Sequence, residues 1–219
     1  MKRSILIVTA IALAMTFFAG HVLAQEATGL VNYGAKAGLN LANAGGADAK
    51  APTGADKKFR IGLNAGFFVT YAFTDLLAIQ PEVLYSMKGV KYKATSGDQT
   101  ETEKVDYIEI PLLLKVSFRT GGNLKPSLLA GPYVGFKAGA KYSLGGTWPA
   151  GTPTSGDIKN VKSTDFGLAF GGEIGMKMTK GMPFLGVRYD LGLSKIDNSA
   201  VKRDIKTNVI SIDLGYAFK

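Results

Sequence analysis

Carboxylate side chains on neighbouring stretches of the chain are the residues whose types suit acid–base chemistry. Glu82 with Glu109, and Asp190 with Asp213, are the candidate pairs, because two carboxyl groups in different environments can act as a general acid and a general base. Along these stretches, however, an acid is never far from a lysine or an arginine. We therefore interpret the carboxylates as members of ion pairs and predict no catalytic residue.

The residues needed for nucleophilic catalysis, zinc binding or nucleotide binding are missing from the sequence or stand in the wrong context. The chain has no cysteine, and its one histidine, His21, lies inside a predicted export signal, which excludes Ser-His-Asp and Cys-His catalysis and histidine-ligated zinc. The glycines of residues 167–175 loosely resemble a nucleotide-binding pattern but open no helix. Asp98, Glu101 and Glu103 are the acidic candidates for a calcium or phospho-ligand site. The sequence therefore predicts no metal and no cofactor.

The N-terminus has the pattern of a secretory signal. Lys2 and Arg3 precede an apolar run over residues 5–18, and Val22-Leu23-Ala24 offers a cleavage site before Gln25. The alternative is a membrane anchor, but the run is shorter than the ~20 residues that a spanning helix needs. We predict a cleaved signal peptide over residues 1–24 and one domain over residues 25–219.

The chain of 219 residues has a net charge of +9, which raises the question of nucleic acid binding. Its lysines and arginines are spread singly between apolar residues and form no basic block. Solvated loops and internal ion pairs explain such a distribution in an exported protein, so we predict no nucleic acid partner.

Eight segments after the signal alternate apolar and polar residues, as β-strands with two different faces do. They cover residues 33–41, 59–73, 77–91, 105–118, 125–142, 163–178, 183–195 and 206–218. Long connections follow the first, third, fifth and seventh segments, and short connections follow the others. The pattern predicts an all-β fold, an eight-stranded antiparallel up-and-down transmembrane β-barrel with short periplasmic turns and longer external loops.

The apolar face is predicted to contact lipid, because the interior of an eight-stranded barrel is filled by side chains and is too narrow for the many large aromatic residues of that face. A water-soluble barrel with an apolar interior is the alternative, and loop sorting with the export signal favours the membrane form. The opposite face then forms a lumen charge network, in which opposite charges pair. Its predicted members are Lys36, Arg60, Glu82, Glu109, Lys115, Lys137, Glu173, Lys177, Arg188, Asp190 and Asp213.

Two groups of residues depart from the simple alternation. Four prolines lie inside the predicted strands, where we expect bulges or shorter paired segments because proline cannot donate to a ladder: Pro81, Pro111, Pro126 and Pro132. Four large apolar residues lie on the lumen face and predict a partly apolar plug: Phe68, Leu84, Leu129 and Phe184.

Several strings in a fixed order carry a family resemblance: LAIQPEVLYSMKG (residues 77–89), YIEIPLLLK (107–115), GPYVG (131–135), DFG (165–167), GGE (171–173) and RY (188–189). Together they resemble the PorT-like outer-membrane β-barrel family of Bacteroidetes, barrels of the small eight-stranded OmpA type. The resemblance implies an integral outer-membrane barrel inserted by the barrel-assembly machinery, without a shared activity. One departure is that Lys219 follows Phe218, whereas such barrels usually end on an aromatic residue.

We therefore expect a non-enzymatic barrel of the bacterial outer membrane with a role in envelope structure or in surface contact through its long loops. Alternatives are a narrow solute pore and an accessory barrel of a secretion or assembly complex. The partners expected are outer-membrane lipid, the barrel-assembly machinery and a surface or secretion-complex partner of unspecified identity.

Overall fold

The computed structural model describes residues 31–218, so the predicted signal peptide and Lys219 lie outside the described residues. This part of the chain contains ten β-strands: β1 Val31–Gly45, β2 Ala55–Lys58, β3 Arg60–Ala72, β4 Leu77–Ala94, β5 Thr100–Ser117, β6 Leu124–Gly145, β7 Ser155–Asp157, β8 Thr164–Met176, β9 Gly181–Gly192 and β10 Lys206–Phe218. Among the described residues, no helix is long and apolar enough to cross a membrane.

Eight of these strands form a closed ring in the order β1, β3, β4, β5, β6, β8, β9, β10. Pairing of β1 with β10 runs in unbroken antiparallel register from Tyr33 opposite Phe218 to Gly45 opposite Lys206. Strands that are consecutive around the ring thus pair with each other, and the first strand pairs with the last. Closure leaves no strand edge facing lipid, where an unpaired backbone group would cost several kcal/mol. The predicted eight-stranded up-and-down barrel is confirmed.

Side chains alternate in burial along every long strand of the ring, and most of the charged residues within the ring strands lie at buried positions. Glu109 and Arg188 are 1% and 5% exposed, whereas Phe67 and Ile61 on the outer face are 73% and 72% exposed. The predicted orientation, with hydrocarbon outward and charge inward, is therefore correct. The alternative of a soluble barrel with an apolar interior is wrong for this chain.

An apolar plug fills part of the lumen, as predicted. Phe68 and Phe184 meet edge to face with ring centroids 5.6 Å apart, and Leu84 and Leu129 are also buried. The two rings are accommodated because Gly34 and Gly215 stand beside them, where a Cβ atom would overlap the rings. The lumen is thus packed with hydrocarbon as well as with charge.

The connections differ at the two ends of the barrel. Those at one end, the turn side, are short and cover residues 73–76, 118–123 and 177–180. At the other end, the loop side, the sheet continues past the ring. Here β2 pairs with β4 over residues 55–58, and β7 pairs with β6 over residues 155–157. We call the sheet formed by β2, residues 88–94, 100–106 and 137–145, and β7 the β-extension.

The β-extension corrects the predicted loop over residues 92–103. Strand β4 continues to Ala94 and β5 begins at Thr100, so the connection between them covers only residues 95–99. Both faces of this segment carry polar residues, because both meet water beyond the hydrocarbon layer. A strand with two wetted faces has no apolar alternation, and its sequence therefore resembled a loop.

The strand prolines interrupt pairing without shifting its register. Pairing of β3 with β4 lapses beside Pro81, between Phe68–Glu82 and Tyr71–Ile79. Similar gaps lie at Pro111 in the β4–β5 ladder and at Pro132 in the β5–β6 ladder. Pairing of β5 with β6 ends next to Pro126. Of the two expectations, shorter paired segments are confirmed and bulges at the prolines are wrong. Each proline lacks an N–H group, and the ladder is interrupted there without an extra residue. The one register shift between β5 and β6 lies at Asp106/Tyr107.

Candidate functional site

The lumen holds several clusters of ion pairs, and Glu82 of β4 lies at the centre of the first. Its Oε2 atom is 2.6 Å from Lys36 Nζ and 2.9 Å from Arg188 Nη1. Lys36 belongs to β1, two strands from β4 around the ring, and Arg188 belongs to β9, four strands away. Lys36 Nζ also lies 4.0 Å from Asp213, and Arg188 Nε lies 3.0 Å from Asp190 Oδ1. One acid thus ties three strands of the wall together through the lumen.

A second cluster surrounds Lys88, which is fully buried. Its ammonium pairs with Glu109, lies 3.5 Å from Asp165 Oδ2 and stands 4.4 Å from the ring centroid of Tyr133. Thr207 donates its hydroxyl to the same Asp165 oxygen at 2.6 Å. This cluster joins β4 to β5, β6, β8 and β10 and lies on the loop side of the first cluster.

A third cluster lies toward the turn side. Lys115 pairs with Glu173, and its Nζ donates to Gln80 Oε1 at 3.1 Å. The amide of Gln80 donates in turn to Glu82 Oε1 at 2.9 Å, which connects this cluster to the first. Arg60, near the loop side, pairs with Asp106 at 3.2 Å. The buried charges are therefore held by opposite charges, as a low-dielectric interior requires.

Nine of the eleven residues predicted for the network are buried in the lumen, and two are not. Lys177 lies one residue past the end of β8 with an exposed side chain, so the expectation is wrong for this residue, because the strand ends before it. Lys137 is half-buried, and its Nζ donates to the carbonyl of Val161 at 2.5 Å. It binds a loop-side backbone group because it lies at the rim, one residue past the last β6–β8 pair, Phe136 with Thr164.

Lys88 and Asp165 are central to the network but were not among its predicted members. Both lie on the polar face of their segments, so the alternation itself was the available signal. What the sequence lacks is the stagger between strands, which brings Lys88 of β4 to Asp165 of β8 although 77 residues separate them. Their importance follows from position around the ring, which periodicity along one strand does not encode.

The lumen leaves little free space. A cavity of about 20 Å³ lies among Lys36, Glu82, Leu129, Phe184 and Arg188, which is room for about one water molecule. The candidate carboxylate pairs Glu82–Glu109 and Asp190–Asp213 lie within the filled region and contact bases. Among residues 31–218, no group of three or more His, Asp or Glu side chains is placed to hold a metal ion. The arrangement is suited to filling and bracing the barrel.

The loop side is ordered by carboxylates that accept backbone hydrogen bonds. Asp197, in the connection between β9 and β10, accepts from the backbone N–H groups of Ser199 at 3.0 Å and Arg203 at 2.8 Å. It also accepts from the Ser199 hydroxyl and the Arg203 guanidinium. Although desolvation opposes the shift, these bonds lower the pKa of Asp197 to about 2, because they stabilise its charged form.

Further contacts link the loops to one another. Asp98, in the turn between β4 and β5, accepts from the backbone N–H and the hydroxyl of Thr147, each at 3.0 Å, and these bonds lower the pKa of its carboxyl. The backbone N–H of Asp204 donates to Asp48 Oδ2 at 2.7 Å. The connections around the rim are thus bonded into one surface. Glu101 and Glu103 lie in β5, on the inner face of the β-extension, and form no loop cluster with Asp98.

Comparison with known proteins yields one family. The family model described as "Outer membrane protein beta-barrel domain" matches residues 23–198. No curated protein matches the chain in sequence.

Three solved structures have a similar fold, and one of them is described as an outer membrane protein. OprG of Pseudomonas aeruginosa is 13% identical, with a TM-score of 0.44 over 86% of this chain and 96% of its own. Ail of Yersinia pestis, solved with the heparin analogue sucrose octasulfate, is 15% identical, with a TM-score of 0.41 over 86% and 99%. Neisserial surface protein A is 16% identical, with a TM-score of 0.41 over 84% and 95%.

Removing the central acid of the lumen tests whether the ion pairs brace the barrel. We expect Glu82→Ala to destabilise the folded protein by about 3–5 kcal/mol, because Lys36 and Arg188 would then be buried without that carboxylate. Urea unfolding in lipid vesicles measures the change. Asp75→Ala, which removes the partner of the exposed Arg119, is the control and is expected to have little effect. Equal unfolding midpoints for Glu82→Ala and the unsubstituted protein would contradict the bracing role.

The loop around Asp197 should respond to pH below the range of an ordinary aspartate. Because the folded-state pKa is lowered from 3.8 to about 2, the bonded loop is fully formed above pH ~4 and opens as the pH falls through about 2. NMR titration of the Ser199 and Arg203 amides in detergent micelles is expected to give a midpoint near the lowered value. A midpoint at the ordinary value of 3.8 would show that the carboxylate accepts no such bonds in solution.

Proposed function

The chain belongs to the family of outer membrane protein β-barrel domains, and from that premise we propose that it is a non-enzymatic integral barrel of the bacterial outer membrane whose role is contact at the cell surface. The observation that carries the proposal is the contrast between the two parts of the molecule. The lumen is packed, whereas the loop side is built into an ordered surface that extends beyond the ring.

The packed lumen favours a structural wall over a channel. Five bases and six acids are buried among the lumen-facing strands, and the apolar plug of Phe68 and Phe184 lies in the same interior. An ion crossing this interior would have to displace paired charges, whose attraction is strong at low dielectric. A narrow solute pore, the alternative function, receives no support from this packing.

The ordered loop side favours a contact role. Side-chain and backbone hydrogen bonds join neighbouring connections, as at Asp98 with Thr147 and at Asp48 with Asp204. A surface that is already ordered loses little conformational entropy on binding. Long connections built on a rigid β scaffold are a common place for binding functions. The loop side is therefore the part of the molecule best suited to meet a partner.

Three finer statements remain predictions of the sequence. They are the kinship with PorT-like barrels of Bacteroidetes, insertion by the barrel-assembly machinery, and the cleavage of residues 1–24 as a signal peptide. An accessory place in a secretion or assembly complex is the second alternative role, and the ordered loop side would serve it equally well.

The absence of cysteine from the sequence allows a direct test of which end faces outward. We introduce one cysteine at Ala150, in the long connection between β6 and β7, or at Gly121, in a short turn where a Cβ atom has open space. A membrane-impermeant maleimide on intact cells is expected to label Ala150→Cys but not Gly121→Cys. Gly121→Cys should react after the outer membrane is permeabilised. The reverse pattern would place the loop side in the periplasm and end the surface-contact proposal.

Single-channel recording distinguishes the contact role from the pore. The refolded protein in planar bilayers is expected to show no steady conductance, because the lumen has room for about one water molecule at its cavity. Protein whose folding has been checked by heat-modifiable gel migration should be used. Reproducible conductance steps would overturn the packed-lumen interpretation and favour the pore.

A further inference from the structure

The outward face of the β-extension carries three lysines at one common distance from the hydrocarbon belt. In each of β4, β5 and β6, a lysine stands four ladder positions beyond the last large apolar residue of the outer face: Lys91 follows Met87, Lys104 follows Ile108, and Lys141 follows Phe136, with one bulged residue in β6. We call Lys91, Lys104 and Lys141 the lysine row. On the outer face of all three strands, the first lysine thus follows the last large apolar side chain after four ladder positions.

Like charges oppose each other directly within this face. Lys104 of β5 is the register partner of Lys141 of β6, and Lys91 of β4 is the register partner of Lys58 of β2. Like charges directly opposite each other destabilise a sheet. The two lysine pairs lie close together on one face of the sheet. An external negative charge would therefore stabilise this face.

The acids on this face leave the lysine row without a protein partner. Asp56 pairs with Lys58 at 3.3 Å, and Asp106 pairs with the buried Arg60 at 3.2 Å. Asp157 is the register partner of Lys141, yet no ion pair joins them. Across residues 31–218, no carboxylate lies within 4.0 Å of the ammonium of any lysine in the row.

The backbone of the row stands a few ångströms beyond the lipid headgroup layer, within reach of a lysine side chain. Four strand residues span ~13 Å, which a strand tilt of ~40° reduces to ~10 Å along the membrane normal. The interfacial layer on each side of the hydrocarbon core is ~5–8 Å thick. A lysine side chain extends its ammonium over several ångströms toward the polar layer, so the three ammonium groups reach the plane of the headgroups.

We propose that the lysine row binds phosphate groups of the lipids in the leaflet next to the loop side. The occupant follows from two observations: the row continues the same outward face that contacts lipid tails, and its uncompensated positive charge complements phosphate. This inference concerns the wall of the β-extension and does not rest on the contact role of the loops.

The test compares two variants of equal charge in the full chain. One replaces the row, K91Q/K104Q/K141Q. The matched control, K159Q/K162Q/K202Q, replaces three exposed lysines in the loop-side connections, away from the outward face of the sheet. Both are refolded in detergent, checked by heat-modifiable migration, and titrated with bis-phosphorylated lipid A or with its dephosphorylated form. Native mass spectrometry counts the lipid that remains bound.

The unsubstituted protein and the control are expected to retain the phosphorylated lipid in preference to the dephosphorylated one. The row variant is expected to bind the phosphorylated lipid at least about tenfold more weakly, since each lysine near an anionic surface contributes ~1 kcal/mol. Added salt should weaken the wild-type preference. Equal retention by the row variant and the control would overturn the proposal. The proposal would also be overturned if the lysine row bound a soluble polyanion, such as heparin, while the protein retained phosphorylated and dephosphorylated lipid A equally.

Discussion

The requirement that every backbone polar group in hydrocarbon be paired within the protein governs the rest of this structure. It closes the sheet into a ring, because an open edge would leave a row of unpaired groups in lipid. Closure with eight strands leaves a lumen wide enough for side chains alone. The polar face of each strand must occupy that lumen, and its charges then have no water to meet. Ion pairing in the interior is therefore a consequence of the backbone requirement.

The lumen clusters link strands across the ring, and the first and third clusters are joined through Gln80, which makes the interior a brace. Glu82 links β1 and β9 to β4, and Gln80 transmits the contact to Lys115 on β5. Such a network holds strands that are distant in sequence and limits how far the wall can slip in register, since a one-residue slip would send each charge toward lipid. The charged interior thus serves specificity of the fold, whereas burial of hydrocarbon against lipid serves its insertion.

Much of this architecture is encoded along single strands and could be predicted from them. The alternation around Glu109, Lys115 and Arg188 predicted both the strands and the face that turns inward, and the loop lengths predicted the closed up-and-down order. Contacts between strands were less accessible, as Lys88 with Asp165 shows, because stagger is a property of the whole ring. The continuation of β4 over residues 92–94 was also missed, since a sheet with water on both faces has no alternation of apolar and polar residues. Lys177 and Lys137 show the same limit at the two edges of the ring, where one residue decides whether a side chain is inside.

The proline gaps have a mechanical consequence. Pro81, Pro111 and Pro132 lie on three neighbouring strands, and each removes rungs from the ladder on one side. The three lapses follow one another across the wall from β3 to β6 and form a compliant diagonal in an otherwise stiff cylinder. Along it fewer pairs join neighbouring strands than in the rest of the wall. Side chains in the lumen therefore hold the wall together at this seam, since Glu82, next to Pro81, carries the central ion pairs.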